Sequence, residues 1–188
     1  MTWLSPREID RLSFAGVGKN VLLSSKASYY NCNNISIGDY SRIDDFCVLS
    51  AGVGGIFIGR NVHVAVYSSL IGAGKIVLED YSGLSSRVSI YSSTDDYSGA
   101  TMTNPTVPYK FTNVEHGDVN VGRHAIIGSG TVVLPGVTLG EGAAIGALCL
   151  VNKSCEAFEI YAGSPLKKLR SRDRNLLEVE KAFLNSNE

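Results

Sequence analysis

Neither sign of charge dominates this chain. Its 188 residues carry 17 Lys and Arg against 18 Asp and Glu, a net charge of −1. Binding to nucleic acid or to an anionic membrane surface needs a basic excess, so the charge balance suggests neither as a partner and none is expected. Long apolar runs are lacking as well. The longest, Ala143–Val151, falls far below the roughly 20 residues that cross a bilayer, which argues against membrane insertion. The N-terminus shows no basic-then-apolar leader, so a cytoplasmic location is expected. Cysteine is sparse: Cys32, Cys47, Cys149 and Cys155 form no CxxC or zinc-type pattern and are expected to be reduced thiols packed as small hydrophobes. The length suits one domain with a sizeable core.

Helical and alternating periodicity are also missing where the chain is most regular. Over Val121–Val151 an aliphatic residue recurs at every sixth position, as Val121, Ile127, Val133, Leu139, Ile145 and Val151. Helices repeat near 3.6 residues and strands at two, so neither accounts for this spacing. A tandem of hexapeptides does, and it marks a parallel β-helix with one short strand and one turn per hexad. The aliphatic residue points into a narrow interior, and small residues take the corners. Upstream, Val17, Leu23 and Tyr29 are in phase, followed by the triples Ile37/Ile43/Leu49, Ile58/Val64/Leu70 and Leu78/Leu84/Ile90. Three hexads make one coil, so about five or six coils are predicted. A β-sandwich with Gly-rich turns is the competing architecture.

Both ends carry capping signals. Ser5-Pro6-x-Glu8 is a capping-box pattern that predicts a short amphipathic helix over Ser5–Phe14, covering the open first coil. Tyr161–Pro165 closes the last coil. The basic run from Leu166 to Arg170 follows, then a helix to about Phe183 whose apolar side packs on the solenoid or a neighbouring subunit. The resulting organisation is a capping helix in 1–16, an all-β solenoid in 17–165, and a basic segment with a helix in 166–188. Between Ile90 and Val119 the hexads vanish. Loop 91–118 holds aromatics, prolines and Met102, so it reads as an ordered excursion that folds onto something, with a neighbouring subunit as the expected target.

The tandem hexads, the long loop after Ile90, the runs Ile127-Gly128-Ser129-Gly130 and Leu134-Pro135-Gly136-Val137, and the closing Ala162-Gly163-Ser164-Pro165 together resemble the left-handed β-helix acyltransferases. Within them the chain is most similar to the maltose/galactoside O-acetyltransferase branch and its relatives in bacterial polysaccharide synthesis. The resemblance covers roughly residues 17–170. It implies a left-handed parallel β-helix, acetyl-CoA as co-substrate without a metal, and a homotrimer with an active site in each groove between adjacent prisms. A groove of this kind suits an extended pantetheine arm.

For the donor, the resemblance implies Ser129 and Ala147 as small residues beside the pantetheine. It likewise implies Asn152 and Lys153 at the end of the last coil, and Lys167 and Arg170 near the nucleotide phosphates. A solvated basic face is the other reading of Lys167, Lys168 and Arg170. The galactoside branch has its catalytic histidine in a Thr-His-Pro context. Here the matching place reads Thr94-Asp95-Asp96, so that histidine is absent.

Two arrangements stay open for the base that acyl transfer to a hydroxyl requires. Asp95 or Asp96 could serve, its pKa raised by burial. Alternatively His116, closer to neutral pKa, serves with one of those aspartates orienting it. Asp95-Asp96 starting a mere turn is the bland reading. His63, on a different coil, could lie near the acceptor but reads first as a surface or structural residue, and His124 reads as a solvent-exposed turn residue. The three histidines do not make the zinc set of a γ-class carbonic anhydrase. The function expected is acetyl-CoA-dependent O-acetylation of a sugar hydroxyl, in surface polysaccharide or lipopolysaccharide assembly. A nucleotide-amino-sugar N-acetyltransferase is the closest rival, because an amine needs less help from a base. A non-catalytic scaffold is the third.

Overall fold

The repeating aliphatic residues do what their spacing requires: each becomes the inward residue of a two- to four-residue strand. The computed structural model describes residues 2–186. Strands stack into three parallel walls of a left-handed triangular prism. Wall one runs Gly16–Val17, Ile35–Ile37, Ile56–Ile58, Ile76–Leu78, Val119–Val121 and Thr138–Leu139. Wall two runs Leu22–Leu23, Arg42–Ile43, His63–Val64, Gly83–Leu84, Ile126–Ile127, Ala144–Ile145 and Glu159–Ala162. Wall three runs Ser28–Tyr30, Val48–Ala51, Ser69–Gly72, Ser89–Tyr91, Val132–Val133 and Leu150–Val151. Six full coils result, each matching one of the sequence triples, and a β-sandwich is excluded.

The interior is a set of vertical aliphatic columns. Leu23, Ile43, Val64 and Ile127 on wall two are fully buried, as are Leu49, Leu70, Ile90 and Val133 on wall three. Burying one such side chain stabilises by about 1.5–3 kcal/mol, so the columns are the main source of cohesion. Tyr29, a poor interior residue, sits at the mouth of its column edge-on to Phe14. All four cysteines are free and buried, and burial pushes the Cys47 and Cys155 thiols up to about 11.

Corners are tight because the chain turns through left-handed residues there. Tyr40, Asn61, Tyr81 and His124 hold this conformation at the first corner, and Phe46, Tyr67, Arg87 and Leu148 at the second. Close stacking sets the need for small residues. A Cβ on Gly128 would come within 2.5 Å of the Ala147 nitrogen on the next coil. Buried hydroxyls tie coils together. Thr131 Oγ1 donates to the Gly146 carbonyl at 2.9 Å and accepts from the Cys149 N–H at 3.1 Å.

Helix α1, Pro6–Leu12, carries the predicted capping box: Ser5 Oγ accepts from the Glu8 N–H, and Glu8 accepts from the Ser5 N–H. Leu4, Ile9 and Phe14 pack under the first coil. At the other end the basic run is a strand, Lys167–Ser171, turned back antiparallel on Glu159–Ala162. The sequence reading has no such hairpin, because five mostly basic residues carry no period-two signal. Helix α2, Leu176–Asn185, then folds down over the first corner. Glu180, only 6% exposed, bonds to Arg123 and, at 2.9 Å, to His124 Nε2, and Phe183 meets Tyr81 edge-on. His124 is therefore covered and stacked on Tyr81 rather than solvent-exposed as its turn position suggested.

The long loop does not interrupt the prism. Val119–Val121 pairs directly on Ile76–Leu78. The loop leaves at the third corner through an antiparallel ladder of Ser93–Thr94 with Glu115–His116. Farther out it forms one 3₁₀ turn at Tyr109–Phe111 and leaves Tyr97 and Tyr109 at least 90% exposed.

Candidate active site

Two clefts carry the chemistry-bearing residues, and they lie on different corners. The first, of 360 Å³, runs along the second corner and is lined by His63, Ala65, Gly83, Leu84, Ser85, Ser86, Ile126 and Ser129. Its shape follows from wall two. The outward column there reads Arg42, His63, Gly83, Ile126, Ala144 by register, and Gly83 leaves a gap in it. A Cβ at Gly83 would meet nothing within 4 Å.

Ser129 and Ala147 occupy successive coils of this corner, joined by the Leu148 N–H donating to the Ser129 carbonyl at 2.9 Å. Lys167 pairs with Ala162 just above Gly146, so it stands near the upper end of the same line. Arg170 lies opposite Ile160, also exposed. Lys168 is engaged with Glu156 and Glu159, which hold its pKa above the ordinary lysine value. Asn152 and Lys153 are exposed, but they sit at the third corner of the last coil, one wall away from Ser129 and Ala147.

The second cleft, of 760 Å³, is formed by the loop against the third corner. Its lining includes Ile71, Thr94, Asp95, Asn104, Pro105 and Tyr109. The two aspartates differ sharply within it. Asp96 Oδ1 accepts from the Ser98 N–H at 2.8 Å, and Oδ2 accepts from the Thr101 hydroxyl at 2.8 Å and its N–H at 3.1 Å. Donors from Ser98 and then Thr101 hold the Asp96 carboxyl down at about 2, where it is a poor proton acceptor near neutral pH. Asp96 therefore builds the turn, against the expectation that its pKa would be raised. Asp95 is half-buried, and its carboxylate has no hydrogen bond or ion pair within the described residues.

His116 is exposed, with Nδ1 2.8 Å from Ser93 Oγ, which itself accepts from the Ala73 N–H at 2.7 Å. Among the described residues no aspartate bonds to it. The expected Asp–His116 pairing is absent because the ladder places Ser93, not Asp95 or Asp96, opposite His116.

A different imidazole is aligned by a carboxylate. His63 Nε2 lies 2.9 Å from Asp44 Oδ2, while Asp44 Oδ1 accepts from Arg42 Nε at 2.6 Å. Asp44 is 3% exposed and the His63 side chain 50%. Sequence reasoning set His63 aside. The signal available was register: with Ile43 and Val64 as inward partners, Asp44 and His63 become diagonal neighbours on successive coils.

Comparison with known proteins bears on what these clefts do. The family described as bacterial transferase hexapeptide (six repeats) matches residues 118–153. A dTDP-4-amino-4,6-dideoxy-D-glucose acyltransferase of Escherichia coli is 54% identical over 97% of this chain and 95% of that protein. AntD, an N-acyltransferase from Bacillus cereus crystallised with dTDP and 3-hydroxybutyryl-CoA, is 42% identical with a TM-score of 0.93, covering 98% of this chain and 97% of that one. A maltose O-acetyltransferase from Clostridium difficile, at 19% identity and a TM-score of 0.61 over 89% of this chain and 75% of that one, shares the fold alone.

Proposed function

This chain belongs to the hexapeptide-repeat acyltransferases, and from that premise we propose that it acylates the 4-amino group of a dTDP-linked 4-amino-4,6-dideoxy sugar, with acetyl-CoA as the expected donor. The observation that carries this reading is its near end-to-end likeness to the Escherichia coli enzyme. The sequence reading puts a sugar hydroxyl first as acceptor and an amine second; the relatives favour the amine over the hydroxyl.

The loop cleft agrees in its chemistry. A hydroxyl nucleophile needs a group that removes its proton, for which a histidine is well matched. An amine is itself nucleophilic once neutral, and its ammonium form is attracted to a carboxylate. Asp95, half-buried and unpaired, offers that carboxylate where the galactoside branch has histidine. Ser129 and Ala147 would flank the pantetheine, and Lys167 and Arg170 would meet coenzyme phosphates as charge-assisted donors. Asn152 and Lys153, at another corner, would reach the coenzyme of a neighbouring protomer.

Crystal structures of AntD include variants altered at a serine and at an aspartate. Their spacing equals that between Ser85 and Asp95, and between Ser86 and Asp96. With Asp96 committed to its turn, the first pair is the one assigned here. Ser85 would donate to the oxyanion of the tetrahedral intermediate. Yet Ser85 lines the second-corner cleft and Asp95 the loop cleft, which share no lining residue and lie on either side of wall three. A site that uses both must be built from two protomers, which supports the homotrimer.

A thiol-release assay with acetyl-CoA tests the assignment. Turnover is expected with dTDP-4-amino-4,6-dideoxyglucose and none with the 4-hydroxy counterpart or free maltose. Transfer to the hydroxyl compounds alone would reverse the choice of acceptor.

A further inference from the structure

The transferred amine must lose a proton. Asp96 is committed to its turn and His116 to Ser93, while Asp95, on the loop cleft, is assigned to drawing the ammonium in rather than to the second-corner cleft. We propose that His63, aligned by the buried Asp44, is the base for acyl transfer in the second-corner cleft, an assignment that rests on the amine-transfer reading above. A carboxylate only accepts, so the His63 nitrogen 2.9 Å from Asp44 Oδ2, Nε2, carries the imidazole hydrogen. The other nitrogen, Nδ1, is then the lone-pair side and has no partner among the described residues. Asp44 is itself fixed by Arg42 at 2.6 Å and by burial, so the imidazole is held from behind and open in front. That is the tautomer-setting logic of carboxylate–imidazole pairs in acyl transfer.

Space and electrostatics agree with this role. The gap at Gly83 lies directly above His63 in the outward column, where any side chain would intrude. Ser85, Ser86 and Ser129 border the gap with hydroxyls, and Ala65, Leu84 and Ile126 with apolar surface. Among the described residues lining the cleft, His63 is the only titratable group, and the charges facing it are Asp44 and, behind that, Arg42. His116 by contrast has Nδ1 occupied by Ser93 and stands in solvent.

The amine nitrogen attacks the thioester carbonyl carbon, a C–N bond forms, and the carbonyl π pair moves to oxygen. The proton on that nitrogen passes to His63 Nδ1. The oxyanion collapses, the C–S bond breaks, and the departing thiolate takes the proton from the imidazolium. Products are the amide and the coenzyme thiol, with His63 neutral again.

Rates are to be measured against pH with acetyl-CoA and dTDP-4-amino-4,6-dideoxyglucose for four proteins: wild type, His63→Gln, Asp44→Asn and Gly83→Val. His63→Gln is expected to lower kcat by about 100-fold or more, to leave the KM for acetyl-CoA unchanged, and to abolish the acidic limb of the profile. Asp44, a positioning residue, should when changed to Asn lower kcat while leaving the KM for acetyl-CoA unchanged, because an amide no longer fixes the hydrogen on Nε2 and the lone pair on Nδ1. Gly83→Val keeps the His63–Asp44 pair and fills the gap, so it should lose transfer while melting like wild type. A His63→Gln protein with near-normal kcat and an intact acidic limb overturns the assignment, as does an unimpaired Gly83→Val should His63→Gln not fold. No turnover by the wild type would instead sink the amine reading and this assignment together.

Discussion

At the scale of single residues, adjacent identical side chains do different work. Asp95 and Asp96 are neighbours in sequence, but Asp96 is saturated by donors and Asp95 has none. Asp95→Asn removes the carboxylate proposed to draw the ammonium in, so it should cost turnover at subsaturating amine acceptor by about 10-fold or more, without moving the melting temperature. Asp96→Asn should loosen the turn around Ser98 and Thr101. The pH dependence has a definite sign. The Asp96 carboxyl falls from 3.8 to about 2 on folding. Its contribution is complete above the unfolded value near 4 and disappears as pH drops toward 2. Protection of the Ser98 and Thr101 amides, measured as exchange relative to the intrinsic rate at each pH, should fall across that window. Equal exchange in wild type and Asp96→Asn would show that the carboxylate does not hold the loop. The sequence alone placed both aspartates in the loop but could not separate them, since the distinction lies in which carboxylate meets the Ser98 and Thr101 donors.

At the scale of elements, the inward columns were legible because one residue in six faces the interior, and Ile127, Leu139 and Ile145 keep that phase unbroken. The cap α1 was legible from Ser5 and Glu8, a local pattern. Less could be read where partners are distant in sequence. The ladder of Ser93–Thr94 with Glu115–His116 spans the whole loop, and the Asp44–His63 pair joins successive coils diagonally. Helix α2 is another such case: its amphipathic pattern was visible, but not its seat on the first corner. Burial disfavours the charged Glu180, yet hydrogen bonds from Arg123 and His124 outweigh that and lower its pKa overall. Both bonds fall on Oε2, leaving Oε1 buried without a partner. Glu180→Ala strands two donors under the helix and should cost about 3 kcal/mol, or roughly 6–12 °C in melting temperature. Limited proteolysis should then cut first within 176–186. A variant as resistant as wild type would mean that Phe183 on Tyr81 suffices to hold α2.

At the scale of the whole molecule, the separation of Ser85 from Asp95 makes an arithmetic prediction. If the chain forms the proposed homotrimer and each site takes Ser85 from one protomer and Asp95 from the next, Ser85→Ala and Asp95→Asn assemblies are both impaired at every site. In a cyclic trimer mixing the two chains, one junction in three brings both native residues together. Co-expressed, differently tagged chains should thus recover about a third of wild-type activity. A mixed trimer no better than its parents would place both residues in a site within one chain. The exposed Tyr97 and Tyr109 on the loop are suited to the contact such an assembly needs.

The continuity of wall one across the loop, with Val119–Val121 laid straight on Ile76–Leu78, has a consequence for how such enzymes diversify. The 28 residues 91–118 hang from the prism as a module whose removal or replacement leaves every column beneath it in register. On the proposed assignment, coenzyme handling would be threaded through the coils and costly to alter, whereas the loop's share of the acceptor side would hang on an appendage that can be lengthened, shortened or exchanged. A lineage built this way can change what it acylates while inheriting intact the machinery that delivers the acyl group.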